Sequence, residues 1–357
     1  MYSAMIFGMA AAVFVAPKST VASLTFGDQD ARVQLGPSDL RHLNTVERAR
    51  ILRPNRSFFD LTDLIDPPLA DLQDVDQDYP TRMVQQRETR NLIRGIDMER
   101  IANNMEALVS FQNRHYQSEH GVAASEWIYQ EIKRLPGVMK LGHFRHSWPQ
   151  NSIEMQISEG RSKKRKTIIV GAHLDATAAD NNASGVVVLL EALNILLRHH
   201  KLSDFKNRVI FQFYAAGDAG LKGSLDIFQQ YKNQNISVAA MLNQDMAGSF
   251  LSEQSLPDYF NIVSTGTYEP LNGFLKRVIR EYCSIFWVET GGGFASSDHA
   301  AATKYGYPAA HVSDSVFTQN PWKGSESDTL DKIRIGHLVE HVKLVLGYVF
   351  ELGFADL

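Results

Sequence analysis

Cysteine is almost missing from this chain: Cys283 stands alone among 357 residues, so no disulfide framework is available. With nothing nearby to lower its pKa, the thiol reads as a small buried hydrophobe rather than a nucleophile. An excess of basic charge is missing too. The formal net charge is -4, which gives no electrostatic case for nucleic acid. The one basic run, 161–166 ("RSKKRK"), is short and precedes an apolar strand, so it reads as a solvated hairpin tip. No apolar run is long enough to span a bilayer. The longest, 4–16 ("AMIFGMAAAVFVA"), is followed by small and polar residues, as in a secretory leader cleaved near Ala22. No Lys or Arg precedes that run, so a buried N-terminal segment stays open as the other reading. Asn55-Arg-Ser and Asn235-Ile-Ser are candidate glycosylation triplets that fit secretion, although such triplets also arise by chance.

What is present is an ordinary globular composition, 44% hydrophobic and 21% charged. Three segments are expected: a leader at 1–22, a propeptide-like or linking segment at 23–90, and an α/β domain at 91–357. The middle one is rich in Asp, Arg, Pro and Gln with weak periodicity, and suits a linker, a propeptide or an arm on the domain. From Ile96 the pattern sharpens. Ile101, Met105, Leu108 and Val109 fall at helical spacing, and a second amphipathic helix ends at Pro136-Gly137. Short apolar runs of strand length follow at 167–171, 209–214, 238–243 and 260–264, alternating with helical stretches at 185–198, 225–232, 271–282 and 333–352. That order predicts a three-layer α/β sandwich, a mostly parallel mixed sheet with helices on both faces.

Ligand groups in such sheets gather beyond the C-terminal ends of the strands. His173 and Asp175 stand after the first run, Asp218 after the second and Asp245 after the third; Asp298 and the stretch 323–328 fall in later loops. Singly, each is as well explained by helix capping or a structural hydrogen bond. Acids at three successive strand ends, one beside a His, point instead to a metal centre in which zinc takes imidazole nitrogen and carboxylate oxygen. Two zincs sharing a carboxylate can hold both the attacking oxygen and the substrate, with a nearby Glu as base.

"GAHLD…DNNASG", "FYAAGDAGLKGS", "LNQDMAG", "GGGFASSDHAAATKYGYPA" and "NP…SDTLD" follow in order. Together they resemble the secreted co-catalytic zinc aminopeptidases, the fungal and bacterial leucine aminopeptidases, with the glutaminyl cyclases as cousins. "SFFDLTD" resembles part of the fungal propeptide. The resemblance implies His173 as first zinc ligand, Asp175 as the group that orients it, Asp218 and Asp245 as further ligands, and Asp298 in support. It also implies losses. The bridging carboxylate position holds Asn181, the general-base position holds Gly217 and the last ligand His is replaced by Gly324. A Tyr that stabilises the tetrahedral intermediate is replaced by Phe294. The implied protein keeps the leucine aminopeptidase fold without a catalytic base, with His173, Asp218 and Asp245 as a remnant site holding zinc weakly or not at all. Peptides or protein N-termini are its implied partners, without nucleic acid or a membrane span, and it is expected to be a secreted monomer. Two other readings remain. One is an active zinc metallo-aminopeptidase with a rearranged or single-metal site using Asp180, Asp218 or Asp298. The other is a peptide-binding protein that uses an unrelated surface.

Overall fold

The computed structural model describes residues 30–44, 46–47, 50, 57–64, 72, 75–138, 140–176, 178–249, 258–314, 320, 322, 325 and 327–357. The leader at 1–22, Asn55 and Gly324 lie outside the described residues.

An eight-stranded sheet forms the middle layer. Its centre is β6 (Thr167–His173), every residue of which is buried, between β7 (Arg208–Tyr214) and β8 (Val238–Gln244). All three run parallel, as near-continuous apolar strands covered on both faces do. Beyond β8 come β11 (Ala309–Ser313), parallel to it, then β9 (Tyr259–Val263), antiparallel to β11, and β10 (Phe286–Thr290) at the edge. Beyond β7 lie β5 (Ser152–Ser158) and β4 (Lys140–Phe144), both antiparallel. The mixed sheet flanked by helices agrees with the expected sandwich.

One expectation changes. The basic run 161–166 is no hairpin tip, because β5 and β6 are not neighbours; β7 lies between them. The run is a solvated loop connecting two strands that pair with the same third one.

Helices cover both faces. α4 (Ala183–Leu196) is apolar almost throughout and every residue in it is buried, so it is a central core helix and not a surface one. It packs against α8 (Ile335–Phe354), whose Leu338, Val342, Val345 and Val349 are fully buried. Each such side chain contributes about 1.5–3 kcal/mol by leaving water. Asn182 caps α4 by accepting from the Gly185 amide at 3.0 Å. Gly185 is required for that seat: a Cβ there would fall 2.4 Å from the Gln244 carbonyl oxygen. The other described helices are α1 (Gln86–Ile93), α2 (Met98–Val109), α3 (Glu119–Lys133), α5 (Lys222–Asn233), α6 (Glu269–Tyr282) and α7 (His299–Lys304). The segment expected to be a linker or propeptide contains a small antiparallel sheet of β1 (Ala31–Gly36), β2 (Asp39–Leu43) and β3 (Phe59–Asp60), in the order β2-β1-β3.

Candidate active site

Three parallel strands end side by side, and their last residues and first loops bring the expected groups together. His173 is the last residue of β6, Asp245 follows β8 directly, and Asp218 sits four residues past β7. The backbone at these ends is strained. Ala216, just before Gly217, and Met246, just after Asp245, take left-handed φ values of 54° and 55°. Non-glycine residues adopt that conformation only where their surroundings enforce it, which happens often at functional sites.

His173 and Asp245 form a buried pair, Nε2 to Oδ1 at 3.4 Å. Burial alone would lower the imidazole pKa. Asp245, Asp175 and Asp218 outweigh it and hold the group well above its ordinary 6.5. The nitrogen that would meet a metal therefore faces a carboxylate directly. On the other side of the ring, Nδ1 lies 2.9 Å from the Asp175 backbone oxygen and 3.6 Å from its carboxylate. The two carboxylate oxygens of Asp175 also accept from the amides of Gly217 and Asp218 at 2.6 and 3.2 Å, tying the β6 loop to the β7 loop.

Asn181 and Asp218 form a second pair. The Asn181 amide nitrogen donates to both carboxylate oxygens of Asp218, at 3.2 and 3.0 Å. An amide oxygen turned that way would repel the carboxylate, so the nitrogen faces it. Asp218 keeps part of its side chain in solvent, yet crowding by the surrounding protein pushes its carboxyl up to about 6 against the pull of His173. Asp180 points elsewhere: its Oδ1 accepts from the Gly248 amide at 2.9 Å. Asp298 is fully buried at the start of α7, near enough to feel His173 and Asp245, and burial pushes it up to about 7. Phe294 stacks edge to face on Phe59 at 5.3 Å.

Gly217 leaves no room for a base. A Cβ at this position would lie 2.5 Å from His173 Cβ and 2.7 Å from its Cγ. The imidazole stands where the first atom of a longer side chain would go.

Two groups that the motifs did not single out complete the site. Arg114 is buried behind the 176–181 loop. Its backbone amide donates to the Ala176 oxygen at 2.7 Å, and its guanidinium donates to the oxygens of Ala178 and Asn181. Burial lowers this guanidinium to about 10, opposed by Asp175, Asp218 and Asp328. Asp328 accepts from the amides of Asp180 and Asn181 at 2.9 and 3.2 Å, and burial pushes its carboxyl up to about 6. The stretch 323–328 and the motif "SDTLD" both contain Asp328, and nothing in the sequence marked Arg114.

The donor set does not fit a co-catalytic zinc pair. Such a pair needs a shared anion, and the residue facing Asp218 presents N–H groups in place of lone pairs. Among the described residues no three or more His, Cys, Asp or Glu side chains gather into a metal shell. His173 and Asp245 are adjacent, and Asp218 is turned to the amide.

Comparison with known proteins agrees with this architecture. Residues 153–349 match Peptidase family M28. Leucine aminopeptidase 1 of Sclerotinia sclerotiorum is 33% identical, over 92% of this chain and 90% of that one. Leucine aminopeptidase 1 of Trichoderma harzianum is 34% identical, over 91% and 87%. Among solved structures, the LapA aminopeptidase of Legionella pneumophila superposes with a TM-score of 0.75 at 22% identity, covering 88% of each chain. A glutaminyl cyclase of Porphyromonas gingivalis follows at 0.58 and 15% identity, over 72% of this chain and 99% of that one. The fold is therefore an aminopeptidase-type α/β sandwich with its polar centre at the strand ends. The chain belongs to peptidase family M28, close in sequence to the fungal leucine aminopeptidases.

Asn235 occupies an exposed turn after α5 with φ 52°. Among the described residues no helix is long and apolar enough to cross a membrane.

Proposed function

We propose that this chain is a secreted leucine aminopeptidase-like protein that has given up efficient peptide hydrolysis, and that its strand-end cleft serves to bind peptides or protein N-termini. The observation that carries the reading is the contact at Gly217. The place from which a general base would reach the site is filled by His173 itself, 2.5 Å from any added Cβ. General-base assistance is worth about 10²–10⁴-fold in rate, and three of the acids beside the site are already engaged. Asp180 is bound to the Gly248 amide, Asp218 to Asn181, and Asp175 to two backbone amides. The pairing of Asn181 with Asp218 supports the same conclusion for the metal, since losing a shared anion removes what holds two cations together.

The test is an assay of purified, zinc-supplemented protein on leucyl and other aminoacyl substrates. Turnover is expected to fall at least about 10²–10⁴-fold below that of a relative carrying the base. Chelator-sensitive turnover that disappears in H173A would overturn the proposal.

The competing reading, an active enzyme with one metal, has the buried His173–Asp245 pair in its favour, because both groups are intact and adjacent. Near-stoichiometric zinc after dialysis would select it. The combined substitutions N181D, G217E and G324H offer a constructive check, and Glu at 217 requires the His173 ring to move first.

A further inference from the structure

The N-terminal arm is seated in the body of the domain. Phe59 and Leu61, 4% and 3% exposed, share one apolar cluster with Leu221, with Leu225 and Phe228 of α5, and with Ala301 of α7. Lys304, also buried, places its Nζ 5.1 Å from the centre of the Phe59 ring and donates to Gln34 Oε1 at 2.8 Å. The Asp60 amide donates to the Gly220 oxygen at 2.9 Å, and Lys222 Nζ lies 3.5 Å from Asp60 and 3.0 Å from Asp63. Gly220, at φ +94°, takes the arm so closely that a Cβ would fall 2.5 Å from the Phe58 ring and 2.8 Å from Asp60.

These contacts land on two loops that carry the candidate site. Gly220 belongs to the turn that holds Asp218, and Phe294 to the loop that leads into Asp298. We propose that residues 31–44 and 57–64 are a permanent wall of the strand-end cleft, clamping the Asp218 loop to the Phe294 loop, and that the folded protein does not shed them. Removing the arm would uncover the apolar seat of Phe59 and Leu61. It would also take these partners from two largely buried ammonium groups, Lys222 and Lys304, and breaking buried charged contacts is costly. The clamp is independent of whether the site hydrolyses peptides, so it can fail while the functional reading stands, and the reverse.

The experiment inserts a site-specific protease recognition sequence between residues 64 and 75 of the full chain and cuts the folded protein. The two fragments are expected to co-elute on gel filtration and to unfold in one transition. Separation of the arm under native conditions, leaving a remainder with unchanged Tm, would overturn the proposal. In the uncut chain, F59A is expected to lower Tm by roughly 5–10 °C. It should also speed hydrogen exchange at the amides of 217–220 and 292–297 relative to the β6 amides. Exchange unchanged in both loops, with Phe59 removed, would count against the clamp.

Discussion

The two halves of the site are built from neighbouring strand ends and are held differently. The His173–Asp245–Asp175 half is buried, and Asp175 satisfies two backbone amides. In the Asp218–Asn181 half, Asp218 is partly open to solvent, the two side chains bond to each other, and a glycine stands where a base is expected. The buried half is the one whose side chains also hold loops together.

The largest effect should come from testing that asymmetry directly. D175A removes a buried acceptor of two amides and leaves them orphaned, which is expected to cost about 3–5 kcal/mol in urea unfolding. D218A removes a half-open carboxylate and is expected to cost about 1 kcal/mol or less. Equal losses would break the comparison, because both halves would then be structural.

Next in size is a pH effect from the buried half. The Asp298 carboxyl has a folded pKa of about 7 against an ordinary 3.8, raised chiefly by burial. Between those values the folded chain keeps a proton that the unfolded chain has lost, so the group's contribution is fully present below 3.8 and is lost as pH rises towards 7. The loss amounts to about 4 kcal/mol at 1.36 kcal/mol per unit. D298N cannot ionise, so its stability should be flatter over this window and should exceed that of the unmodified protein at pH 8. Thermal unfolding from pH 4 to 8 reads it. A D298N curve parallel to the parent's would remove Asp298 from the account.

Much of this architecture could be read from the chain. Apolar runs marked β6, β7 and β8 to within a residue or two, and the polar residues that interrupt them proved to be the convergent ones: His173, Asp218 and Asp245. Elements whose identity depends on partners were harder. β10 and β4 are short, largely exposed edge strands, and β11 ("AAHVS") is short and partly polar. β5 is different. Ile153, Met155 and Ile157 alternate with period two, a signal the expected strands omitted. The arm's sheet is fixed by contacts with residues more than a hundred positions away, such as Lys304 and Phe294, and local periodicity cannot report those. Arg114 was invisible for a related reason. Its role lies in the carbonyls of a loop some 60 residues on. Asp175 was read as a group beside His173, but its bonds to the amides of Gly217 and Asp218 join it to a loop some 40 residues on and left no mark in local spacing.

A steric test follows. Gly217→Ala adds one methyl group 2.5 Å from His173 Cβ, so either the ring or the loop must shift. Overpacking of this kind costs about 1–3 kcal/mol. If the His173 side chain is the obstacle, the penalty should shrink by at least about 0.5 kcal/mol when H173G, which removes the Cβ as well as the ring, is present, read as the coupling in a double-mutant cycle. Additive losses would place the strain elsewhere and would remove the steric support for the proposed absence of a base at Gly217.

The smallest effect concerns the open half, and it separates charge from shape. N181D is nearly isosteric but replaces a donor to Asp218 with a second carboxylate. Two carboxylates at this distance cannot both ionise freely, so one should hold its proton to higher pH. The expected cost is about 1 kcal/mol at pH 8, because Asp218 reaches solvent, and close to none at pH 5, where the pair can share a proton. Zinc should then recover part of the loss at pH 8 in N181D while leaving the unmodified protein's Tm unchanged, since only the variant offers a shared anion. Recovery by zinc in both proteins would mean that His173 and Asp245 already grip the metal unaided. The contrast between the halves would then be one of catalytic base alone.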